Sequence, residues 1–360
     1  MVLKLNSHQQ VLWRSPETMQ IGLGDSQVTL QNVTSGQERF IDALSVGIAN
    51  NQVDAVAKQS KLPAEQAREL LSRLQPLLLQ PAPPLTLPKR FAPKPGEPDF
   101  EPTAPAQAFT EVIRASLNHQ VEAQLVMNER ALRVVHIDSL DKTGLLLLDG
   151  LAAAGVGTVV THDSELVGAT DLGPDGFPTG LAGHTRFDAA SLILEASQTS
   201  TRLVRGEKLK DRQLDRVDLA VLVGQQVLNP KRYSRWVNRQ VPHLSLIFTT
   251  DGLEVSPVVT SGKTACLYCQ HLWAQQRDSD WPVISAQLLT SSLVFDDVSS
   301  RLLGCGLVLQ NALWSLDSVG GFRGSRTEVT GFVYSQKTGQ LTLEKWKPHK
   351  DCACQLVLGL

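Results

Sequence analysis

Apolar and polar residues alternate along Met19 to Leu23 and again along Val28 to Val33, the period of two that turns one face of a strand towards a core. From Gln37 to Ile48 the period lengthens to that of a helix, and a second helix is predicted over Asn51 to Ser60. A third is predicted over Pro63 to Leu79, where Ala64, Ala67, Leu70, Leu71 and Leu74 recur at helical spacing. Pro63 suits its first turn, where a missing N–H costs no hydrogen bond. Further along, Phe109 to Leu117 reads as a helix and Ala131 to Ile137 as a strand. An apolar helix from Gly144 to Ala154 follows, then the break Gly155-Val156-Gly157 and a strand over Thr158 to Thr161. Together these form one βαβ unit of about 30 residues. Leu219 to Val223 and His243 to Phe248 are continuous apolar runs, as expected of strands covered on both faces of a parallel sheet.

Between the two patterned regions lies QPAPPLTLPKRFAPKPGEPDFEPTAP, residues 80–105, with almost half of the chain's 19 prolines. Proline cannot donate to a helix or a central strand, so an extended connector is expected here. The organisation predicted is a module over 1–79, a linker over 80–105 and a larger domain over 106–360. Short strands with three short helices suit a small α+β winged-helix domain. The larger domain reads as α/β, a Rossmann-like doubly wound sheet.

Composition narrows the partners. A net charge of -2 over 360 residues gives no electrostatic pull towards nucleic acid or anionic lipid. The third helix sets Arg68 and Arg73 against Glu65 and Glu69, so DNA binding by the first module is not expected. Capture of a peptide along a strand edge suits it better, with a brace between domains as the plain alternative. No apolar run approaches the roughly 20 residues that span a bilayer, and Met1 to Asn6 lacks the apolar core of a signal peptide. A cytoplasmic protein is expected.

Cysteine carries the clearest chemistry. Four of the five are paired tightly, as Cys266-Leu267-Tyr268-Cys269 and Cys352-Ala353-Cys354. Two thiolates on one turn, folded against a second such pair, make the tetrahedral sulfur set that zinc prefers, with no open position for catalysis. A structural zinc on Cys266, Cys269, Cys352 and Cys354 is therefore expected. His349 could substitute for one thiolate, and Trp273, Trp281 and Trp346 are read as packing around the cage. Cys305, in Leu302-Leu303-Gly304-Cys305, reads as a buried apolar residue whose raised pKa disfavours nucleophilic use.

These residues carry a resemblance. The βαβ unit ending Ala153-Ala154-Gly155-Val156-Gly157, then Asp163-Ser164-Glu165, Val241-Pro242-His243, Pro257 and the CxxC pair, resembles the ThiF/MoeB/HesA-type family of ubiquitin-activating-like adenylyltransferases. The zinc segments, Cys266 to Leu272 running into Arg277 to Pro282 and Trp346-Lys347-Pro348-His349 before Cys352, are similar to the branch associated with peptide cyclodehydratases in bacteriocin biosynthesis. That branch places a winged-helix clamp for a leader peptide before the activating-enzyme fold. The resemblance implies ATP with magnesium, a peptide or small-protein substrate, a modifying partner such as a cyclodehydratase, and a homodimer.

Carried over residue by residue, the nucleotide site is incomplete. The glycine-rich turn that brings backbone N–H groups to the phosphates falls on Ser139-Leu140-Asp141-Lys142-Thr143-Gly144, where only Gly144 remains. Asp141 sets a carboxylate where an anion would sit, and Lys142 offers a partial offset. Asp163 matches the acid that hydrogen-bonds the ribose and Glu165 the second acid of that motif. The family's arginine falls on Pro174, its phosphate lysine on Arg186, and its magnesium aspartate on Gln225, a neutral amide and a poor ligand for a hard cation. The resemblance thus implies a scaffold that binds peptide with adenylation lost or weakened, and no catalytic residue is assigned. An active adenylyltransferase acting on a peptide or ubiquitin-like carboxyl terminus is the alternative, and a winged-helix regulator of transcription the second.

Two motifs mislead. Ser261-Gly262-Lys263-Thr264 imitates the end of a P-loop, but the first glycine would have to stand at Pro257, so a turn into Cys266 is expected. Arg323 and Arg326 lie in a glycine-rich stretch that reads as a solvated turn.

Overall fold

The computed structural model describes residues 2–23, 27–80, 109–319 and 330–355. The stretch 81–105 and the Arg323 and Arg326 turn lie outside the described residues. The chain forms two compact units, one containing residues 2–80 and 109–127 and the other residues 128–319 and 330–355.

In the first unit, β1 (Val2–Leu3) precedes an antiparallel sheet of β2 (Val11–Ser15), β3 (Thr18–Ile21) and β4 (Val28–Gln31), in that order. Helix α1 (Ser35–Val46) starts with a capping box in which Thr34 and Gln37 exchange side-chain and backbone hydrogen bonds. It stops at Gly47, whose φ of 119° suits glycine, so Ile48 leaves the expected helix for β5 (Ile48–Ala49), paired with β1. After α2 (Val53–Gln59) comes α3 (Ala64–Leu74), which tightens to a 3₁₀ turn over Gln75–Leu77 because Pro76 lacks the N–H that would continue it. Phe40, Ile41, Leu44, Leu70, Leu74 and Leu77 fill the core. Helix α4 (Phe109–His119), which the sequence placed with the larger domain, groups with this unit. The reason is polar. Asn6 is wholly buried, and it finds partners in the Ser116 carbonyl and hydroxyl, both at 3.0 Å. Helix α5 (Ala123–Ala131) runs from this unit into the second.

The second unit holds an eight-stranded sheet. Its parallel part comprises β6 (Val134–Ile137), β7 (Thr158–Thr161), β8 (Arg202–Arg205), β9 (Leu219–Gln225) and β10 (His243–Thr249), in the order β8-β7-β6-β9-β10. The sheet is mixed rather than wholly parallel. A tight turn at Thr250-Asp251 sends β11 (Gly252–Val255) back along β10, and β12 (Thr330–Ser335) and β13 (Gln340–Lys345) continue antiparallel to the edge. Gly252 permits this, since a Cβ there would lie 2.0 Å from the Tyr334 carbonyl oxygen.

Both faces are covered, which is why β9 reads as one apolar run. Leu219, Val221 and Val223 meet α6 (Lys142–Ala153), α7 (Arg186–Ala196) and α12 (Val298–Val319). Ala220 and Leu222 meet α9 (Pro230–Asn238) and α10 (Leu267–Arg277). Two further helices are the short α8 (Asp211–Leu214) and α11 (Trp281–Leu288). Chain order reverses between β6 and β9, so their carboxyl ends form the crevice where open α/β sheets bind ligands.

Candidate functional site

The turn that leaves β6 at this crevice is closed by its own side chains. Asp141 caps α6, its Oδ1 accepting from the Gly144 backbone N–H at 2.9 Å, and its own N–H donates to Ser139 Oγ at 3.3 Å. A helix N-terminus binds anions through its unpaired N–H groups, and here a carboxylate of the chain already fills that role. Burial pushes the Asp141 carboxyl above its ordinary range, and the nearby Asp296 adds to the rise. Gly144 is required by space: a Cβ would lie 1.8 Å from the Ser139 carbonyl oxygen.

Asp163 follows β7 and is buried. Its Oδ2 accepts from the Leu140 backbone N–H at 2.7 Å and its Oδ1 from the Glu165 N–H at 2.8 Å. The acid matched to the ribose therefore ties the turn after β6 to the turn after β7. The Glu165 side chain is exposed, and its carbonyl accepts from the Arg186 N–H at 2.8 Å.

Both cations of the expected nucleotide site are engaged within the chain. Arg186 grips Asp171 with two hydrogen bonds of 3.0 Å and reaches Asp163 at 3.5 Å. Lys142 pairs with Asp175 at 2.9 Å, and Arg301 from α12 pairs with the other oxygen of the same carboxylate. The loop carrying these acids, Asp171-Leu172-Gly173-Pro174-Asp175-Gly176-Phe177, contains the position where the family's arginine was sought. It is pinned by the buried Phe177, whose N–H donates to the Asp171 carbonyl at 2.8 Å. Gln225 Oε1 accepts from the Phe295 backbone N–H at 2.9 Å. On β6's exit, Asp138 pairs with Arg232 and accepts from the Val223 N–H; burial raises its carboxyl to about 6.

The structure thus brings Gly144, Lys142, Asp163 and Arg186 together, with Glu165 beside them. Sequence reading missed Asp138, Asp171, Asp175, Asp296, Arg232 and Arg301. Only the turn-rich Asp-Leu-Gly-Pro-Asp-Gly stretch gave a signal, as a loop; Arg301 stands on a helix far along the chain and gave none. Around the crevice the six carboxylates of Asp138, Asp141, Asp163, Asp171, Asp175 and Asp296 meet four cations, Lys142, Arg186, Arg232 and Arg301. A polyphosphate would meet this acid excess unless it displaced or neutralised part of it.

The second constellation is the cysteine cage. Cys266 caps α10 and Cys269 lies in its first turn, while Cys352 and Cys354 come from the segment after β13. The four sulfurs lie within 4.8 Å of one another, with Cys266 to Cys269 at 3.8 Å, Cys266 to Cys352 at 3.6 Å and Cys269 to Cys354 at 3.4 Å. All are unbridged, and the cluster can hold a metal ion. Trp273 and Trp346 pack against it. His349 is outside the cluster, its ring engaged by the Asp351 N–H at 3.2 Å and Gln276 Oε1 at 3.3 Å. Trp281 donates to His271 Nδ1 at 3.0 Å. The Ser261 to Thr264 stretch is a turn, with the Gly262 N–H donating to the Cys354 carbonyl at 3.1 Å. Cys305 is buried between α12 and α6, its thiol pushed up to about 12 by burial.

No protein-family model matches the chain, and neither does any curated protein. Solved structures do. Escherichia coli MccB with ATP superposes with a TM-score of 0.67 at 12% identity, over 98% of this chain and 99% of that one. The microcin C7 biosynthetic enzyme MccB in complex with N-formylated MccA gives 0.68 at 13%, over 99% and 100%. PaaA gives 0.61 at 12%, over 94% and 98%. These neighbours show the fold that the ThiF/MoeB-type resemblance implied: over nearly its whole length the chain has the architecture of MccB.

Proposed function

We propose that the chain is an activating-enzyme-like protein that binds a peptide, such as a leader, and presents it for modification, with a degenerate nucleotide site. One observation carries the reading: the N-terminus of α6, where an anion would bind, is capped by Asp141, while Lys142 and Arg186 are ion-paired to Asp175 and Asp171. Peptide capture is supported by β2, an edge strand on which Val11, Leu12 and Trp13 are all exposed. An extended peptide can add to such an edge through backbone hydrogen bonds. The opposite edge, β4, is partly blocked by Arg73, which donates to the Thr29 carbonyl at 2.8 Å. Three helices beside a three-stranded sheet are the parts of a winged-helix clamp. MccB, which shares this fold, has been seen in complex with N-formylated MccA, and that supports the reading.

The metal is zinc in this reading. A tetrahedron with Zn–S bonds of about 2.3 Å has S–S edges of about 3.8 Å. Three of the six separations here are 3.4, 3.6 and 3.8 Å and all are within 4.8 Å, near that figure, while the cysteines are unbridged. The cage has four protein ligands and so would support the fold rather than react. A homodimer and a modifying partner such as a cyclodehydratase complete the proposal. Among the described residues no helix is long and apolar enough to cross a membrane, in keeping with a cytoplasmic setting.

Active adenylation is the second reading, favoured by Asp163 in the ribose position. Titration calorimetry with ATP and magnesium, paired with pyrophosphate release in the presence of a cognate peptide, separates the two. The degenerate-site reading expects peptide binding without micromolar ATP affinity or pyrophosphate; release of pyrophosphate on peptide addition would overturn it.

A further inference from the structure

Next to the crevice, on the α10 side of the sheet, lies a cavity of about 570 Å³. Its walls come from the turn after β9, from α10 and α11, and from strands β10, β11 and β13. That volume is within the range of about 300–1,000 Å³ typical of ligand sites. Much of the lining is apolar, including Leu228, Ile247, Leu267, Trp281, Leu289 and Trp346. The ionisable lining has the opposite character. Glu254, Glu344 and Asp278 share it with one arginine, Arg277, and with His271 and Tyr233.

Glu254 is the informative residue. On β11 its neighbours Leu253 and Val255 turn into the main core, so Glu254 turns to the other face, into the cavity. Desolvation by the cavity walls pushes its carboxyl above the ordinary range, the charge of Glu344 pushes the same way, and Arg277 opposes them. Among the described residues no hydrogen bond or ion pair holds it. Glu254 and Glu344 are both open to solvent at this end of the cavity, so two like charges stand there with Arg277 opposing them, and a cation would complement them.

We infer that this cavity takes a lysine or arginine side chain of a bound peptide, its aliphatic stem along the tryptophans and its charge between Glu254 and Glu344. The stem and head of these residues match a site with apolar walls and an acidic end. Aromatic rings also attract such cations across their faces. Gln226 lines the cavity and directly follows Gln225 of the crevice, so a residue anchored here brings its peptide to the mouth of the nucleotide-type site. The choice of a peptide as ligand rests on the proposed function; the preference for a basic residue rests on the cavity.

The test uses the full chain and fluorescein-labelled pentapeptides with apolar flanks, their central residue lysine, arginine, norleucine or glutamate. Fluorescence anisotropy should show the lysine or arginine peptide binding at least tenfold tighter than the norleucine peptide, and the glutamate peptide weakest. Glu254→Gln should remove that preference, and Ala274→Phe, which fills the cavity, should weaken all four peptides. Glu254 is exposed, so Glu254→Gln should leave the melting temperature unchanged, which checks that the variant folds. Trp13→Ser, on the β2 edge, should leave the preference in place. Equal binding of lysine and norleucine peptides overturns the inference, as does a preference that survives Glu254→Gln. Binding abolished by Trp13→Ser and untouched by both cavity variants overturns it while the strand-edge reading stands.

Discussion

If the crevice excludes nucleotide because its cations are already paired, uncoupling one pair should raise nucleotide affinity by a predictable amount. The cleanest perturbation is Asp175→Asn. Asp175 lies in a turn, held to about 2 by hydrogen bonds from Lys142 and Arg301, and is therefore fully ionised at neutral pH. Asparagine keeps an acceptor oxygen and removes the charge. At the 2.9 Å separation of Lys142 and Asp175 the Coulomb energy is about 1.4 kcal/mol at the dielectric of water and about 3 kcal/mol at half that value. The side chains are 18% and 28% exposed, so solvent screens much of this, and about 1 kcal/mol is a fair figure for what an incoming phosphate must displace. That corresponds to roughly fivefold in Kd. Titration calorimetry with ATP, with and without magnesium, should find no micromolar binding to the native chain and a gain of about fivefold in Asp175→Asn. Adding Asp141→Asn should raise it further, since asparagine keeps an acceptor for the α6 cap and removes the charge. Micromolar affinity in the native chain, or no gain in a variant that melts normally, would refute the reasoning.

Metal analysis should find about one ion per chain, and Cys269→Ser should release it and lower thermal stability sharply, since structural zinc binds with on the order of 10 kcal/mol; a native chain that is metal-free and indifferent to chelators would remove the cage from the account. Gly144→Ala should cost about 3 kcal/mol or more in urea denaturation, because the added Cβ would meet the Ser139 backbone at 1.8 Å and the turn cannot yield without breaking its capping bonds; a loss under about 1 kcal/mol would show the turn to be adaptable. His243 is buried with its pKa lowered to about 4, below the 6.5 of the free side chain, so the unfolded chain takes up the proton first. Its contribution is intact above pH 6.5 and lost as pH falls towards 4, about 3 kcal/mol in all. In His243→Leu the melting temperature should decline less over that window, and an unchanged slope would place the acid sensitivity elsewhere, His136 being the next candidate.

Much of the scaffold was legible because its signals are local. The periodicity of β6, α6 and β7 and the break at Gly155 follow from which side chains each element buries. The cysteine pairs were legible because the spacing of each pair is itself local. The antiparallel half of the sheet was not, since β11 to β13 show no pattern that distinguishes parallel from antiparallel pairing. The placement of α4 depended on the match between Asn6 and Ser116, which only the fold creates. The crevice divides in the same way. The family resemblance pointed to Asp163, Gly144 and Lys142, and it implied that Asp141 stands where a glycine was expected. It could not show that Asp141 caps the helix, or that Asp175 joins Lys142 to Arg301 across α6, the loop and α12.

The cage and the cavity share structure in a way that bears on the proposed degeneracy of the nucleotide site. Helix α10 begins with Cys266 and Cys269, and its later turns supply Gln270, Ala274 and Arg277 to the cavity wall. Trp346 packs against the sulfur cluster on one side and lines the cavity on the other. A metal held by Cys352 and Cys354 therefore fixes the position of that helix and of that ring together. On the proposed reading, the two glycines that the resemblance would put at Ser139 and Asp141, a magnesium aspartate and free phosphate cations serve only a nucleotide, so a chain without adenylation loses nothing when they differ. Cysteines that hold a binding wall in place serve any ligand of that wall. Retention of all four, beside a crevice whose charges satisfy one another, is what a scaffold kept for binding would be expected to show.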